Sequence, residues 1–133
     1  MPHLVFISHA SGDKWVAGQL KKELVAAGAE CFLDTGGIET GDEFDQRLRQ
    51  ALHDAAELLV LLTPAALKRP YVWIEIGIAW SQSKRIVGLL HGMDTSDLAA
   101  HDGAPAFFKG MHLRDINELD EYLDELRRRI DHG

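Results

Sequence analysis

The sequence predicts a doubly wound α/β fold, with one parallel five-stranded sheet and helices on both of its faces. Short apolar runs of β-type residues alternate along the chain with amphipathic helical patterns. The middle runs are almost continuously apolar, which is typical of strands that are covered on both faces. A length of 133 residues is that of one ordinary domain, so we expect a single domain over residues 1–133.

Five segments have the composition of strands. They are residues 4–8, 30–34, 58–63, 85–90 and 107–113, the last with the weakest pattern. Right-handed crossovers between these strands predict the flavodoxin-like order 2-1-3-4-5. Ligands in such sheets bind outside the carboxyl ends of the strands, in the crevice where the winding reverses. Here that crevice lies between the first and third strands.

Helical periodicity places three apolar stripes between and after the strands. The stripes are Trp15, Leu20, Leu24 and Ala27; Phe44, Leu48, Leu52 and Ala55; and Ile116, Leu119, Leu123, Leu126 and Ile130. Ser11 or Asp13 is expected as the N-cap of the first helix, and Gly28 as the residue that follows its C-cap. Residues 92–106 are rich in turn formers and predict a surface loop or an irregular helix.

Composition excludes several classes of function. A formal net charge of -7 disfavours a large footprint on nucleic acid, which depends on clustered Lys and Arg. No window reaches the roughly 18 apolar residues of a membrane span, and no secretory signal precedes Leu4, so we expect a cytoplasmic protein without membrane contact. The single cysteine, Cys31, lies in an apolar run and is expected to pack rather than react.

One carboxylate interrupts an otherwise apolar helical segment, RPYVWIEIGIAW, at Glu75. A helix that begins near Tyr71 buries Val72, Ile76 and Ala79, and Glu75 can then reach either the rim of the crevice or solvent. A glutamate near a helix start can also simply complement the helix dipole. From the residues alone, the solvent-facing interpretation is preferred.

Four ordered blocks give the chain a family resemblance. They are VFISHASGD, CFLDTGGIETGDEFDQRLRQAL, LLVLLTPAAL and RPYVWIEIG. Together they resemble a Toll/interleukin-1 receptor (TIR) domain of the bacterial type, in which an Asp-led BB loop follows the second strand. Any one block alone would be a weak signal, but the four in order span most of the chain.

The resemblance implies cleavage of the nicotinamide–ribose bond of NAD+, the activity of the catalytic branch of this family. The catalytic glutamate of that branch matches Glu75. Departure of nicotinamide leaves an oxocarbenium-like ribose, which a fixed carboxylate can stabilise as it does in glycosidases. NAD+ is then the substrate, and no metal or other cofactor is required. The resemblance implies a bacterial immune effector or signal producer.

Seven further residues are candidates for substrate binding. They are Ser8, His9, Ser11, Asp34, Phe44, Tyr71 and Trp73. Phe44 could equally pack in the core, and either aromatic ring at 71 or 73 could stack on the ligand or cover the core. Ser11 could be only an N-cap, His9 could be a surface residue, and Asp34 is expected to fix the BB loop rather than contact ligand.

Two departures from the family pattern concern substrate affinity. Arg69 stands where many members have Ser, and His9, Ala10 and Ser11 stand where some active relatives have basic residues. Arg69 or Lys68 could itself meet the diphosphate of NAD+.

The spacing of His91, His101 and His112 fits no compact zinc motif.

Two other functions remain open. A noncatalytic assembly module would join other TIR domains through the BB loop and helix faces, with the acidic ETGDE segment and the basic run Arg127, Arg128 and Arg129 as complementary surfaces. A nucleoside deoxyribosyltransferase-like enzyme would share the fold class and a glutamate-assisted attack on a glycosidic bond. In many family members, self-association also completes the catalytic site.

Overall fold

The computed structural model describes residues 3–33, 44–99 and 111–132. These residues form a parallel five-stranded sheet, and its order, β2-β1-β3-β4-β5, confirms the predicted topology. The strands are β1 (Leu4–Ser8), β2 (Glu30–Leu33), β3 (Glu57–Leu62), β4 (Arg85–Leu90) and β5 (Met111–Asp115).

Helices cover both faces of the sheet, as the doubly wound pattern predicts. They are α1 (Lys14–Ala26), α2 (Phe44–Asp54), α3 (Pro64–Leu67), α4 (Pro70–Ser81), α5 (Thr95–Ala99) and α6 (Leu119–His132). Buried side chains of α2 to α5 pack in one core with one face of the sheet, and those of α1 and α6 pack in a second core on the other face. Among the described residues, no helix is both long enough and apolar enough to cross a bilayer.

Strand periodicity sorts the side chains of β1 between these two cores. Phe6 lies in the core shared with α4, whereas Val5 and Ile7 lie in the core shared with α1 and α6. Because alternate residues of a strand face opposite sides, Ser8 continues the face of Phe6 towards α4. The last residue of β1 is therefore directed at the helix that carries Glu75.

The ends of two strands differ from their predicted positions. β3 begins at Glu57 and ends at Leu62, one residue earlier than expected at each end. Thr63 instead caps α3, and its Oγ1 accepts a hydrogen bond of 3.1 Å from the amide of Ala66. β5 runs to Asp115, two residues beyond the predicted end, and residues 107–110 lie outside the described part of the chain.

The expectation that Trp15 packs in the core is wrong. Its side chain is 75% exposed, and α1 instead buries Ala17, Leu20 and Leu24. These three residues follow one another by three and four positions, whereas Trp15 precedes Leu20 by five and so faces away from their stripe. Asp13 is the N-cap residue of α1, one of the two expected there, but its side chain makes no capping hydrogen bond.

The C-terminus of α1 confirms the role expected of Gly28. Gly28 has a φ of +106°, which glycine adopts without a steric penalty. Its amide donates to the carbonyl of Val25, and the amide of Ala29 donates to the carbonyl of Leu24. This pair of bonds is a Schellman motif, which satisfies the last carbonyls of the helix.

Residues 92–99 contain the short helix α5, so the part of the turn-rich segment that the structure describes includes an irregular helical piece. Asp94 precedes this helix and accepts hydrogen bonds from the amide of Asp97 and the hydroxyl of Ser96. These bonds lower the pKa of Asp94, the bond from Ser96 being the largest cause.

The basic run of α6 is not one uniform surface. Arg127 pairs with Asp124 at 3.0 Å, and Arg129 turns towards the sheet to bond Glu57, the first residue of β3. The expectation that all three arginines form a surface for a partner is therefore wrong for Arg129, because its guanidinium has a buried partner in its own chain.

Candidate active site

Glu75 lies on the buried face of α4, not at the solvent side. The helix begins at Pro70, and its buried residues are Val72, Glu75, Ile76 and Ala79. Their spacing of three, four and seven positions is that of a single core-facing stripe. With 1% of its surface exposed, Glu75 overturns the interpretation that it points to water. It is the sixth residue of α4, beyond the first turn in which the helix dipole acts most strongly.

The carboxylate of Glu75 meets the end of β1. The hydroxyl of Ser8 donates a hydrogen bond of 2.5 Å to Glu75 Oε1, across 67 positions of sequence. Ser8 is itself fully buried. This contact places the carboxylate at the carboxyl end of β1, the edge at which ligands of doubly wound sheets bind.

Two more hydrogen bonds join the segments that follow β1 and β3. Thr63 Oγ1 donates to Asp13 Oδ2 at 2.5 Å, and Arg69 Nη2 donates to Ser11 Oγ at 2.8 Å. Since β1 and β3 flank the point where the winding reverses, these bonds tie together the two walls of the predicted crevice. Arg69 and Ser11 are exposed at its surface.

The two aromatic candidates occupy different sides of α4. Tyr71 is half-buried and precedes Glu75 by one helical turn. It lines a groove of about 380 Å³, whose other lining residues are Leu48, Arg49, Ile74 and Ile78. Trp73 is also half-buried, and its indole Nε1 donates to the carbonyl of Leu67 at 3.0 Å. The latter bond joins α4 to the end of α3.

The remaining candidates are placed less fully. His9 is half-buried, and its Nδ1 lies 2.7 Å from the carbonyl oxygen of Ala10; because a carbonyl only accepts, this nitrogen carries a proton. Phe44 begins α2, but its side chain lies outside the described part of the structure, as does the whole of Asp34. The roles of these residues stay predictions.

Within the described ranges, no three His, Cys, Asp or Glu side chains are grouped as metal ligands. Nε2 of His112 lies 3.4 Å from Arg85 Nη1, and His101 lies outside those ranges.

Cys31 is half-buried, and its burial raises the pKa of the thiol to about 11. A protonated thiol is a poor nucleophile, in keeping with a packing role.

Sequence reasoning missed two members of this arrangement. Asp13 and Thr63 were expected only as a helix cap and a strand end, yet they bond one another across the crevice. A signal for the orientation of Glu75 was present, because positions 72, 75, 76 and 79 share one helical stripe. No local pattern announces the bond between Thr63 and Asp13, since 50 residues separate them.

Comparison with known proteins agrees with this architecture. A relative from Brachypodium distachyon, named as a probable 2′ cyclic ADP-D-ribose synthase, is 27% identical over 96 residues, which are 71% of this chain and 43% of the relative. The chain thus spans less than half the length of that protein.

Two solved structures share the fold. The TIR domain of a Toll-related receptor from Hydra magnipapillata has a TM-score of 0.70 at 21% identity, over 96% of this chain and 97% of its own. A CMP N-glycosidase from Clostridium botulinum has a TM-score of 0.61 at 22% identity, over 92% and 97% respectively. The family model of the TIR domain matches residues 5–130. Because that match covers nearly the whole chain, the protein belongs to the TIR domain family.

Proposed function

We propose that this TIR domain cleaves the nicotinamide–ribose bond of NAD+ and that Glu75 is its catalytic residue. The observation that carries the proposal is the buried carboxylate of Glu75, fixed by Ser8 at the carboxyl end of β1. Burying a carboxylate costs folding free energy that hydrogen bonds only partly offset, and this one lies at the edge where this fold binds ligands. The name of the Brachypodium relative, a probable 2′ cyclic ADP-D-ribose synthase, supports the same chemistry.

In this mechanism the bond between ribose C1′ and the nicotinamide nitrogen breaks, and its electron pair leaves with nicotinamide. The ribose becomes an oxocarbenium ion, whose positive charge the carboxylate of Glu75 stabilises at short range. Because the site excludes water around that side chain, the attraction is stronger than it would be in solvent. Attack by water then gives ADP-ribose and a proton, whereas attack by a hydroxyl of the same molecule gives a cyclic ADP-ribose and a proton.

The direct test is release of nicotinamide from NAD+ by the wild-type protein, Glu75→Ala and Glu75→Gln. We expect turnover by the wild type and a loss of at least about a hundredfold in both variants, as for removal of one transition-state group. Equal rates from all three proteins would contradict the assignment of Glu75. Since the family resemblance implies that neighbouring domains complete the site, the assay is run at high protein concentration or with a crowding agent.

Product analysis separates the finer alternatives. Chromatography of the reaction mixture distinguishes ADP-ribose from the cyclic ADP-riboses and so decides between hydrolase and cyclase. CMP and 2′-deoxynucleosides are included as comparison substrates, because a CMP N-glycosidase has the same fold. Cleavage of these substrates in preference to NAD+ would favour the nucleoside-directed enzyme instead.

A second candidate function is noncatalytic assembly with other TIR domains. The observation that favours it is the exposure of large apolar side chains on one helix, with Ile74 53% and Trp80 56% exposed on α4. Assembly without catalysis predicts dimers or filaments in light scattering and no nicotinamide release. If Trp80→Ser disrupts assembly and also lowers the rate of nicotinamide release, self-association instead serves the enzyme.

A further inference from the structure

Ser8 occupies an unusual position for a polar residue. It is the last residue of β1 and is fully buried. Its side chain lies on the same strand face as Phe6, which packs in the core shared with α4. An apolar side chain at this place would extend that core. The sequence instead places a hydroxyl there, opposite the buried carboxylate of Glu75.

The chemistry of the two groups determines their roles in the contact. A carboxylate accepts hydrogen bonds, whereas a serine hydroxyl has a single proton to donate. The distance of 2.5 Å from Ser8 Oγ to Glu75 Oε1 shows that this proton is directed at Glu75. Because its one proton is directed at the carboxylate, Ser8 has none left to donate to a ligand in the crevice.

We infer that Ser8 is a positioning residue for Glu75 and not a substrate ligand, which revises the substrate-binding role that the sequence suggested for it. The hydroxyl fixes the side-chain rotamer of the glutamate, so that the carboxylate is already aimed before substrate binds. The catalytic consequence rests on the proposed function, whereas the physical coupling between the two residues does not.

Steady-state kinetics distinguishes positioning from substrate contact. Nicotinamide release is measured over a range of NAD+ concentrations for the wild type, Ser8→Ala and Ser8→Cys, whose thiol is only a weak donor of similar size. We expect kcat to fall at least about tenfold in both variants with KM changed by less than about twofold, because the loss is one of catalytic alignment. The control is Ser81→Ala, which removes an exposed hydroxyl from the far end of α4 and should leave both constants unchanged.

Two kinetic outcomes would overturn the inference. A raised KM with unchanged kcat in Ser8→Ala would show that the hydroxyl contacts substrate. Unchanged kcat and KM would show that it is dispensable.

A double-mutant cycle in urea tests the same contact without turnover. We expect Ser8→Ala to raise the unfolding equilibrium constant at least about tenfold in the wild-type background. In the Glu75→Ala background the same substitution should change it less than about threefold. Equal effects in the two backgrounds would overturn the coupling. If the cycle shows coupling but no protein releases nicotinamide, the proposed function fails while the role of Ser8 in holding Glu75 stands.

Discussion

Arg129 binds the buried carboxylate of Glu57 through two nitrogens, with Nε 2.9 Å from Oε2 and Nη2 3.0 Å from Oε1. Glu57 begins β3 with 1% of its surface exposed, and Arg129 comes from the last turns of α6. Burial by itself lowers the pKa of Arg129, but the hydrogen bonds and negative charge of Glu57 raise it overall. The pair fastens the final helix to the edge of the sheet opposite to the candidate site.

Loss of Arg129 should therefore destabilise the fold, because Glu57 would keep its burial and lose its bidentate arginine partner. We expect Arg129→Met to lower the free energy of unfolding by about 3 kcal/mol, the usual cost of breaking a buried ion pair from one side. Urea denaturation at pH 7 measures it. Arg128→Met, at the exposed neighbour, should change stability by less than about 0.5 kcal/mol. Similar losses in the two variants would show that the stability does not depend on the bidentate contact between Arg129 and Glu57.

Tyr122 adds a third hydrogen bond to Glu57, from its hydroxyl to Oε1 at 2.7 Å. Tyr122→Phe should cost about 1.5–3 kcal/mol, since the acceptor is charged and buried. Burial, and then the charge of Glu57, raise the pKa of Tyr122 far above the ordinary tyrosine value of 10.0.

The same residue predicts a pH dependence. In the unfolded chain Tyr122 loses its proton near pH 10.0, whereas in the folded protein it keeps it. Its contribution to stability is thus complete below that pH and decreases as the pH rises above it. The stability difference between wild type and Tyr122→Phe should shrink from pH 8 to pH 11 in urea titrations. A constant difference over that range would contradict a protonated donor.

The hydroxyl of Thr63 has two bonding partners at the crevice. It accepts from the amide of Ala66 and donates to Asp13. Thr63→Val removes both bonds at nearly constant volume, so the free energy of unfolding should fall by about 2 kcal/mol. Thr63→Ser keeps the hydroxyl and should retain most of that stability. Thermal unfolding of the two variants makes the comparison, and a Thr63→Val variant as stable as the wild type would contradict a contribution from these two bonds.

Ser83 follows the C-cap of α4 with a φ of 57°, the left-handed conformation that Gly28 provides after α1. Its amide donates to the carbonyl of Trp80, and that of Lys84 donates to the carbonyl of Ala79, so the helix ends in the same motif. Ser83→Gly should raise the free energy of unfolding by up to about 1 kcal/mol, and Gly28→Ala should lower it by a similar amount. Chemical denaturation of this pair would contradict the argument if both changes had the same sign.

Much of the architecture could be predicted because it depends on local periodicity. The continuous apolar runs of β3 and β4 require cover on both faces, and together with the helical stripes they imply the order of the parallel sheet. Trp15 shows where this reasoning fails. An aromatic near a helix start was assigned to the core, but its position relative to Leu20 turns it to solvent.

The candidate site could be predicted in part. The family resemblance singled out Glu75 and the polar segments after β1 and β3. Periodicity along α4 contained the information that position 75 faces the core, although the charge of the residue argued for solvent. Asp34 and the side chain of Phe44 lie outside the described residues, so their expected roles stay predictions.

By itself, then, the sequence determined the alternation of strands and helices, their order in the sheet, and the edge at which polar residues collect. Only the tertiary structure decided that Ser8 meets Glu75, that Thr63 meets Asp13, and that Arg129 meets Glu57. The reason is that local periodicity fixes the face on which a side chain lies. The atom it meets across 50 or more residues depends on how one layer is shifted and rotated against the next.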